Sequence, residues 1–545
     1  GGISLDGGHI IEGSGLFNGS SGFLSRTQKV GNQKTFTISI VFKVNEPSPT
    51  AVGGNYLFSA GNNSPSGNTD YLVAVMRQNS ADINFSGGTT GLRLTNQVFR
   101  DTAAWGHLVI RMDTTQSTAA NRHKMWLNGV EITSFATTNN LGLNALTAVG
   151  KAKEFAIGRD SLSGGRFADF YIAQHILLDG VAADPTDFGS VTDDGFWQLN
   201  DPSSLDYTGD NSHLITGTDV STGTDSSGNS NNFSKTGTIT ATNDSPTNSD
   251  DGYGNYATMN PLNAHSSIVL AQGNLDVDAS AANNTGVVST IPVSSGKWYW
   301  EVTIDAGSIN GSRDIGICGT DSQFHSGTSS LDDIGLSAVG WLPVDATLRH
   351  LTNSTSYGTT GSTGAVVMFA LDMDAQKLWI GKDGTWFTSG GVGVPDAGTN
   401  AAPTSSVSYT WPDAALAAVT VQTTRGVTYN FGATDFAHAI GAGNDTEGFL
   451  PINTANLPTP DVINYEDEYY IEAGISHSNG STTAVTLPTS VSGGAMARIK
   501  RTDSTGDWFI FDTVRGANKS RKWNEAEAED TSTFDDQNLT GTTLT

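Results

Sequence analysis

The stretch that most constrains this chain is Gly296–Ile304, which reads GKWYWEVTI. Trp298, Trp300, Val302 and Ile304 share one parity, and Lys297, Tyr299, Glu301 and Thr303 share the other. That alternation suits a strand with one face on a core and the other toward water. Two tryptophans spaced by two make a large apolar surface that a second layer must cover. Further short apolar runs follow at Asp314–Gly319, Val339–Leu342, Val366–Leu371, Lys377–Gly381 and Val427–Phe431, so the stretch predicts one strand among many in a layered sheet.

The region 1–190 has the same character. Phe36, Ile38, Ile40, Phe42 and Val44 point inward in the alternation, with Thr35, Thr37, Ser39 and Lys43 on the other parity. Tyr56–Ala60, Tyr71–Met76, His107–Met112 and Phe155–Gly158 are further strands, as is the neighbourhood of Phe170 and Ile172. Asn128-Gly129 separates Lys124–Leu127 from Val130–Ile132, and Asn-Gly between two such runs signals a tight hairpin. Residues 191–262 are rich in Asp, Ser, Asn, Thr and Gly and read as a connector, anchored by Phe196, Trp197, Tyr253 and Tyr256. Trp411–Thr424 fits no simple strand series. Tyr469–Ile471, Ala495–Lys500 and Trp508–Phe511 make a third β region over 461–545, whose end, Thr540–Thr545, offers no capping strand. That leaves the last domain incomplete or completed by another chain.

The fold class is therefore all-β, with tandem sandwiches at 1–190 and 263–460, a connector at 191–262 and a smaller C-terminal β domain at 461–545. A chain of 545 residues is too long for one core, which agrees. Charged residues are only 15% against 64 glycines, a composition of short strands and turns, and no heptad pattern is present. The net charge of −27 argues against nucleic acid and against anionic lipid surfaces. No apolar run approaches the roughly 18 residues of a membrane span. No signal peptide is visible and residue 1 is not Met, which fits a processed or partial product. Cys318 stands alone, excluding an intrachain disulfide and pointing to assembly in a reducing cytoplasm.

Residues 297–302 (KWYWEV), 314–319 (DIGICG), 339–341 (VGW) and 378–387 (LWIGKDGTWF), in that order, resemble a SPRY domain, a bent β-sandwich that acts as a binding module. Residues 105–113 (WGHLVIRMD), 124–132 (KMWLNGVEI), 155–159 (FAIGR) and 167–173 (FADFYIA) resemble a concanavalin A-like, laminin-G-like domain, with 16–18 and 23–27 as its first strands. The connector segments 225–232, 244–248 and 255–262, with Gly273–Val277 (GNLDV), are similar to those joining a laminin-G-like to a SPRY domain in virion proteins of tailed bacteriophages. Residues 499–516 resemble a C-terminal domain of the same proteins.

Little in the sequence points to catalysis. The ten histidines are scattered and form no H-E-x-x-H, no G-x-S-x-G elbow occurs, and Gly391–Val394 lacks the rest of a dinucleotide loop. Glycoside cleavage needs two facing acids. Asp193-Asp194, Asp250-Asp251 and Asp332-Asp333 are adjacent pairs, which read as turn residues. No catalytic residue is assigned and the chain is not read as an enzyme, with glycan depolymerisation the enzymatic alternative. Calcium is a candidate cofactor, because Asp219, Asp225, Asn229 and Asn231, and separately Asp503 with Asp507, place oxygens around glycines; Asx-turns explain the same pattern. For ligand binding, an aromatic beside amides and acids suits a sugar ring. The candidates are Arg159 and Asp160 in the first sandwich, and His350, Tyr357, Asp383, Trp386, Tyr409 and Trp411 in the second. The competing reading is that these aromatics simply fill the sandwich.

The expected function is a structural component of a tailed-phage virion, a tail fibre or host-recognition adhesin. It would bind a bacterial surface glycan or protein non-covalently. The alternative is a capsid or tail decoration that binds only other virion subunits. The resemblance implies a homo-oligomer, a trimer first, assembled in the host cytoplasm.

Overall fold

In a computed structural model, strand Lys297–Ile304 lies between Val366–Asp372 and Val427–Asn430 in an antiparallel sheet. The structure describes residues 3, 7–45, 55–61, 72–77, 82–87, 90–97, 99, 101–161, 166–280, 285–305, 314–320, 322, 337–351, 353–387, 394–402, 409–422, 426–441, 444–458, 485–491, 496–500, 508–512, 519–522 and 539–544. Two compact units result, Gly1–Pro458 and Thr459–Thr545.

The larger unit holds two sandwiches. In the first, one sheet runs in the order 130–131, 123–127, 105–113, 35–44, 169–179, 14–18, 239–242, with 213–216 also on 169–179. The facing sheet runs 135–138, 90–95, 82–87, 72–77, 55–60, 154–157, 23–27, 234–236. Phe36, Ile38, Ile40 and Phe42 enter the core between them with Leu57, Phe58 and Phe155. The Asn-Gly hairpin is present, with Asn128 and Gly129 at φ 48° and 76°. Positive φ at both central residues is what a twisted two-residue hairpin requires.

In the second sandwich the sheets run 259–264, 285–289, 415–421, 314–319, 339–342, 347–350, 353–356 and 268–271, 276–279, 427–430, 297–304, 366–372, 377–382, 385–386. Trp300 is fully buried and stacks on Phe369 at 5.1 Å between ring centres. Gly316 is obligatory because a Cβ there would lie 2.0 Å from the Val339 carbonyl oxygen. Trp300→Ala is expected to cost about 3–5 kcal/mol through the cavity left behind. Trp300→Phe should retain most of that, read as the thermal midpoint of the purified chain.

Four expectations need correction. Much of the outer parity of both central strands is buried, with Lys297, Thr303 and Thr35 only partly covered. Tyr299 and Glu301 are 1% and 3% exposed, because Phe436, Ile440 and Phe449 lie over that face of the sheet. Thr37, Ser39 and Lys43 are buried likewise, under a layer that includes Trp197, Leu199 and Phe188. Secondly, 191–262 is not merely a connector. His213–Thr216, Ser234–Thr236 and Ile239–Thr242 extend the two sheets of the first sandwich, and Phe233 and Ile239 enter its core. A few apolar side chains suffice there, since an edge strand is held largely by its backbone ladder. Thirdly, Ala415–Val421 is a strand, paired to Thr285–Ser289 and Asp314–Gly319 and wholly buried. Its small residues carry low strand propensity, which hid it. Fourthly, Leu539–Leu544 is a strand paired with Val485–Val491, so the C-terminal unit has a closing strand of its own. In that unit Met496–Lys500, Trp508–Asp512 and Arg521–Lys522 form a second sheet, while Tyr469–Ile471 lie outside the described residues.

The two sandwiches meet through a polar, buried seam. The Asn274 amide donates to the Asn45 carbonyl, and the Gly273 N–H donates to Asp169 at 3.1 Å. The Asn243 N–H reaches the Ala433 carbonyl at 2.7 Å. Glycine 273 lets the seam close, since a Cβ there would lie 2.4 Å from the Tyr171 hydroxyl. Thus the GNLDV segment read from the sequence is where the second sandwich docks on the first.

Candidate functional site

Strand Glu154–Ile157 runs out of the first sandwich into Arg159 and Asp160, and the chain returns at Arg166 to Ala168. The turn is pinned by backbone bonds from Asp160 N–H to the Arg166 carbonyl and from Ala168 N–H to that of Gly158, each at 3.0 Å. The Ser59 hydroxyl fastens it further, donating to the Arg159 carbonyl and accepting from the Ser161 N–H. A cluster of mixed charge is the outcome. Arg166 approaches Asp160 at 3.5 Å and donates to the Tyr56 hydroxyl at 3.0 Å. Arg159 lies over the Phe23 ring at 3.8 Å and pairs with Glu154 at 2.5 Å. The Asp160 side chain is 4% exposed and that of Arg166 38%, so Arg166 is the group that meets solvent. Sequence reading found Arg159 and Asp160 but missed Arg166 and Tyr56. The intervening residues 162–165 lie outside the described ones.

In the second sandwich the six candidates divide. His350, Tyr409 and Trp411 come together: Tyr409 meets His350 edge-on at 5.7 Å and Trp411 edge-on at 5.1 Å. His350 is wholly buried, with Nδ1 2.6 Å from the Ala338 carbonyl, and Tyr409 donates to the Ser337 carbonyl. Burial pushes the Tyr409 phenol well above its ordinary range. Only Trp411 of the three keeps a partly exposed face. Tyr357 is completely buried against Phe387, so it fills the sandwich, whereas Trp386 is buried against Tyr299 in the layer over the outer face of the sheet. Asp383 is exposed but serves a turn at φ 49°, its carboxylate accepting from the Val366 N–H. For Tyr357, Trp386 and Asp383 the geometry supports the structural reading, because hairpin registry turns their side chains toward the core or back on the chain.

Residues 219–231 do not fit calcium. Asp225 accepts from the Leu214 and Ser227 N–H groups with one oxygen, and from the Asn231 N–H and Ser227 hydroxyl with the other. Asn229 and Asn231 aim their amide nitrogens at the Ser212 carbonyl, at 3.1 and 2.7 Å. Asp219 is used by the Ser226 hydroxyl at 3.4 Å. These are turn staples: both Asp225 oxygens already accept N–H and O–H donors, and the two asparagines present amide nitrogens to carbonyls. Among the described residues no group of three or more His, Cys, Asp or Glu is placed to hold a metal. Asp503 and Asp507 lie outside them, as do Asp332 and Asp333.

No protein-family model matches the chain and no curated protein matches it. Among solved structures, the SPRY domain of human HERC1 is similar at 14% identity and TM-score 0.24, over 31% of this chain and 96% of that one. A human SPRY domain is similar at 15% identity and TM-score 0.24, over 31% and 98%. Stonustoxin is similar at 19% identity and TM-score 0.24, over 32% of this chain and 27% of that one.

Proposed function

We propose that the chain is a structural component of a tailed-phage virion, a tail fibre or related host-recognition protein. It binds a bacterial surface glycan or protein without covalent chemistry. The observation that carries this reading is the Arg166–Asp160–Tyr56 cluster at a sheet end, in which an exposed guanidinium is held by buried acceptors. A planar donor fixed in this way suits the vicinal hydroxyls and carboxylates of surface glycans. The partly exposed Trp411, stiffened by Tyr409, offers a stacking face for a sugar ring. Repeated copies in a homo-oligomer, a trimer first, strengthen weak single contacts through effective concentration. Its other partners are virion subunits.

The test is adhesion of the purified full-length chain to host cells and to arrayed bacterial glycans. Arg166→Ala is expected to lower affinity by about tenfold or more, the loss of a charge-assisted hydrogen bond, in a variant shown by its cooperative melting to be folded. Binding that is absent at high valency, or indifferent to both Arg166→Ala and Trp411→Ala, removes the support for this reading.

A further inference from the structure

We propose that Lys43 and Asn255 become joined by an intramolecular amide bond, with Asp244 carrying the proton, so that the lead-in to the second sandwich is covalently tied to a central strand of the first. The three side chains meet at the seam. Lys43, near the end of strand Thr35–Val44, is 1% exposed; its Nζ donates to Asp244 and, at 3.0 Å, to Asn255 Oδ1. Aromatic rings wall the site, Nζ lying 4.8 Å from the Tyr171 ring centre and 5.6 Å from that of Trp105. Asp244 is fixed by the Trp105 indole N–H at 3.2 Å and the Tyr256 N–H at 3.4 Å. Asn255 is fixed by its amide donating to the Ala103 carbonyl at 2.6 Å and its backbone N–H donating to Thr454 Oγ1 at 2.9 Å.

Such an enclosure favours uncharged partners. Burial lowers the affinity of the Lys43 amine for a proton and raises that of the Asp244 carboxylate. Both effects move the proton from Nζ to the carboxylate, leaving a neutral amine, which is a nucleophile. The amine attacks Asn255 Cγ and a C–N bond forms. The second Nζ proton passes by way of Asp244 to the departing carboxamide nitrogen, the original Cγ–N bond breaks, and ammonia leaves. No oxidant or activated donor is needed, and Asp244 ends protonated, as it was when the amine attacked. Immobilising amine and carboxamide within hydrogen-bond distance supplies the effective concentration that amide exchange lacks in solution. Asn255 rather than Asp244 is the acyl donor. Attack on Asp244 would consume the only carboxyl group bonded to Nζ among the described residues and leave nothing to protonate the leaving group. Asn255, at 9% exposure, is also the member nearest solvent, where ammonia can depart.

Intact-mass measurement of the purified full-length chain under denaturing conditions tests this. The expected mass is one ammonia below that of the sequence. Tryptic digestion should yield peptide 35–77, uncleaved after Lys43, joined to peptide 236–297. An unaltered mass overturns the proposal. Loss of water, with the joint at Asp244, overturns the assignment of Asn255. Asp244→Asn keeps the shape without the proton carrier and should keep its full mass; ammonia loss there, mapped to Lys43, overturns the role of Asp244. The wild-type mass decides the bond itself even if that variant fails to fold.

Discussion

Asp244→Ala is expected to lower the stability of the folded chain by about 3–5 kcal/mol, because it leaves Lys43 without its carboxyl partner in a site from which water is excluded. Neither side chain has any solvent exposure, so screening does not soften the loss. The same change removes the acceptor of the Trp105 indole and of the Tyr256 N–H. Since Asp244 belongs to the segment between the sandwiches and Lys43 to the first, the seam should open before either core melts. Calorimetry should show the first two sandwiches of the variant melting over a broader range than in the wild type, or in two steps. Replacing both partners, as in Lys43→Met with Asp244→Leu, should recover about 2 kcal/mol relative to the single variant, since a buried pair is often matched by apolar residues of similar volume. A single variant that melts with the wild type would show that this pair does not hold the seam.

Acidification is expected to unfold the first sandwich well above the carboxylate range. His107 and His175 are completely buried, and desolvation depresses each to about 3; for His175 the nearby Arg26 guanidinium adds to the effect. His123 and His213 are driven well below the usual value by the same burial, with Arg93 beside His123, and His175 and Arg26 beside His213. His175 and His213 lie stacked, with ring nitrogens 3.0 Å apart, and His107 bridges Ser39 and the Trp197 indole. These imidazoles are neutral in the fold and charge once exposed. Their folded pKa values therefore sit below the unfolded ones, so the stability they represent is complete above about pH 6.5 and is lost as pH falls toward 3. At pH 5 a group shifted this far costs about 2 kcal/mol, and His107 and His175 together about 4. The thermal midpoint should fall steeply between pH 7 and pH 5. His175→Phe, which cannot charge, should flatten that slope if it folds. A midpoint indifferent to pH over this range would mean that the histidines are wetter than the fold implies.

What could be read locally was read well. The parity of Lys297–Ile304, the Asn128-Gly129 turn and the strand at 105–113 depend on neighbours within a few residues, and each stands in the fold. The miss at Ala415–Val421 has a local cause too. Alanines give a sheet little to grip, and that strand exists because both flanking strands leave it no other place. Candidate site residues fared less evenly. A tryptophan two residues after Asp383-Gly384 looks the same in sequence whether it faces solvent or packs on Tyr299, and Arg166 carries no signal until the turn brings it back to Asp160.

The sequence by itself determined that this chain is built from layered antiparallel sheets, that it carries no charge pattern for nucleic acid, and where the inward side chains of each central strand lie. Alternation and turn chemistry act over a handful of residues, so they are legible in one dimension. Only the tertiary structure decided that a supposed connector extends the first sandwich, that second coverings bury much of the outward parity, and that Lys43 lies against Asp244 and Asn255. Those contacts join positions about two hundred residues apart. Their strength comes from excluding water at a closed seam, a property that no segment possesses until the others surround it.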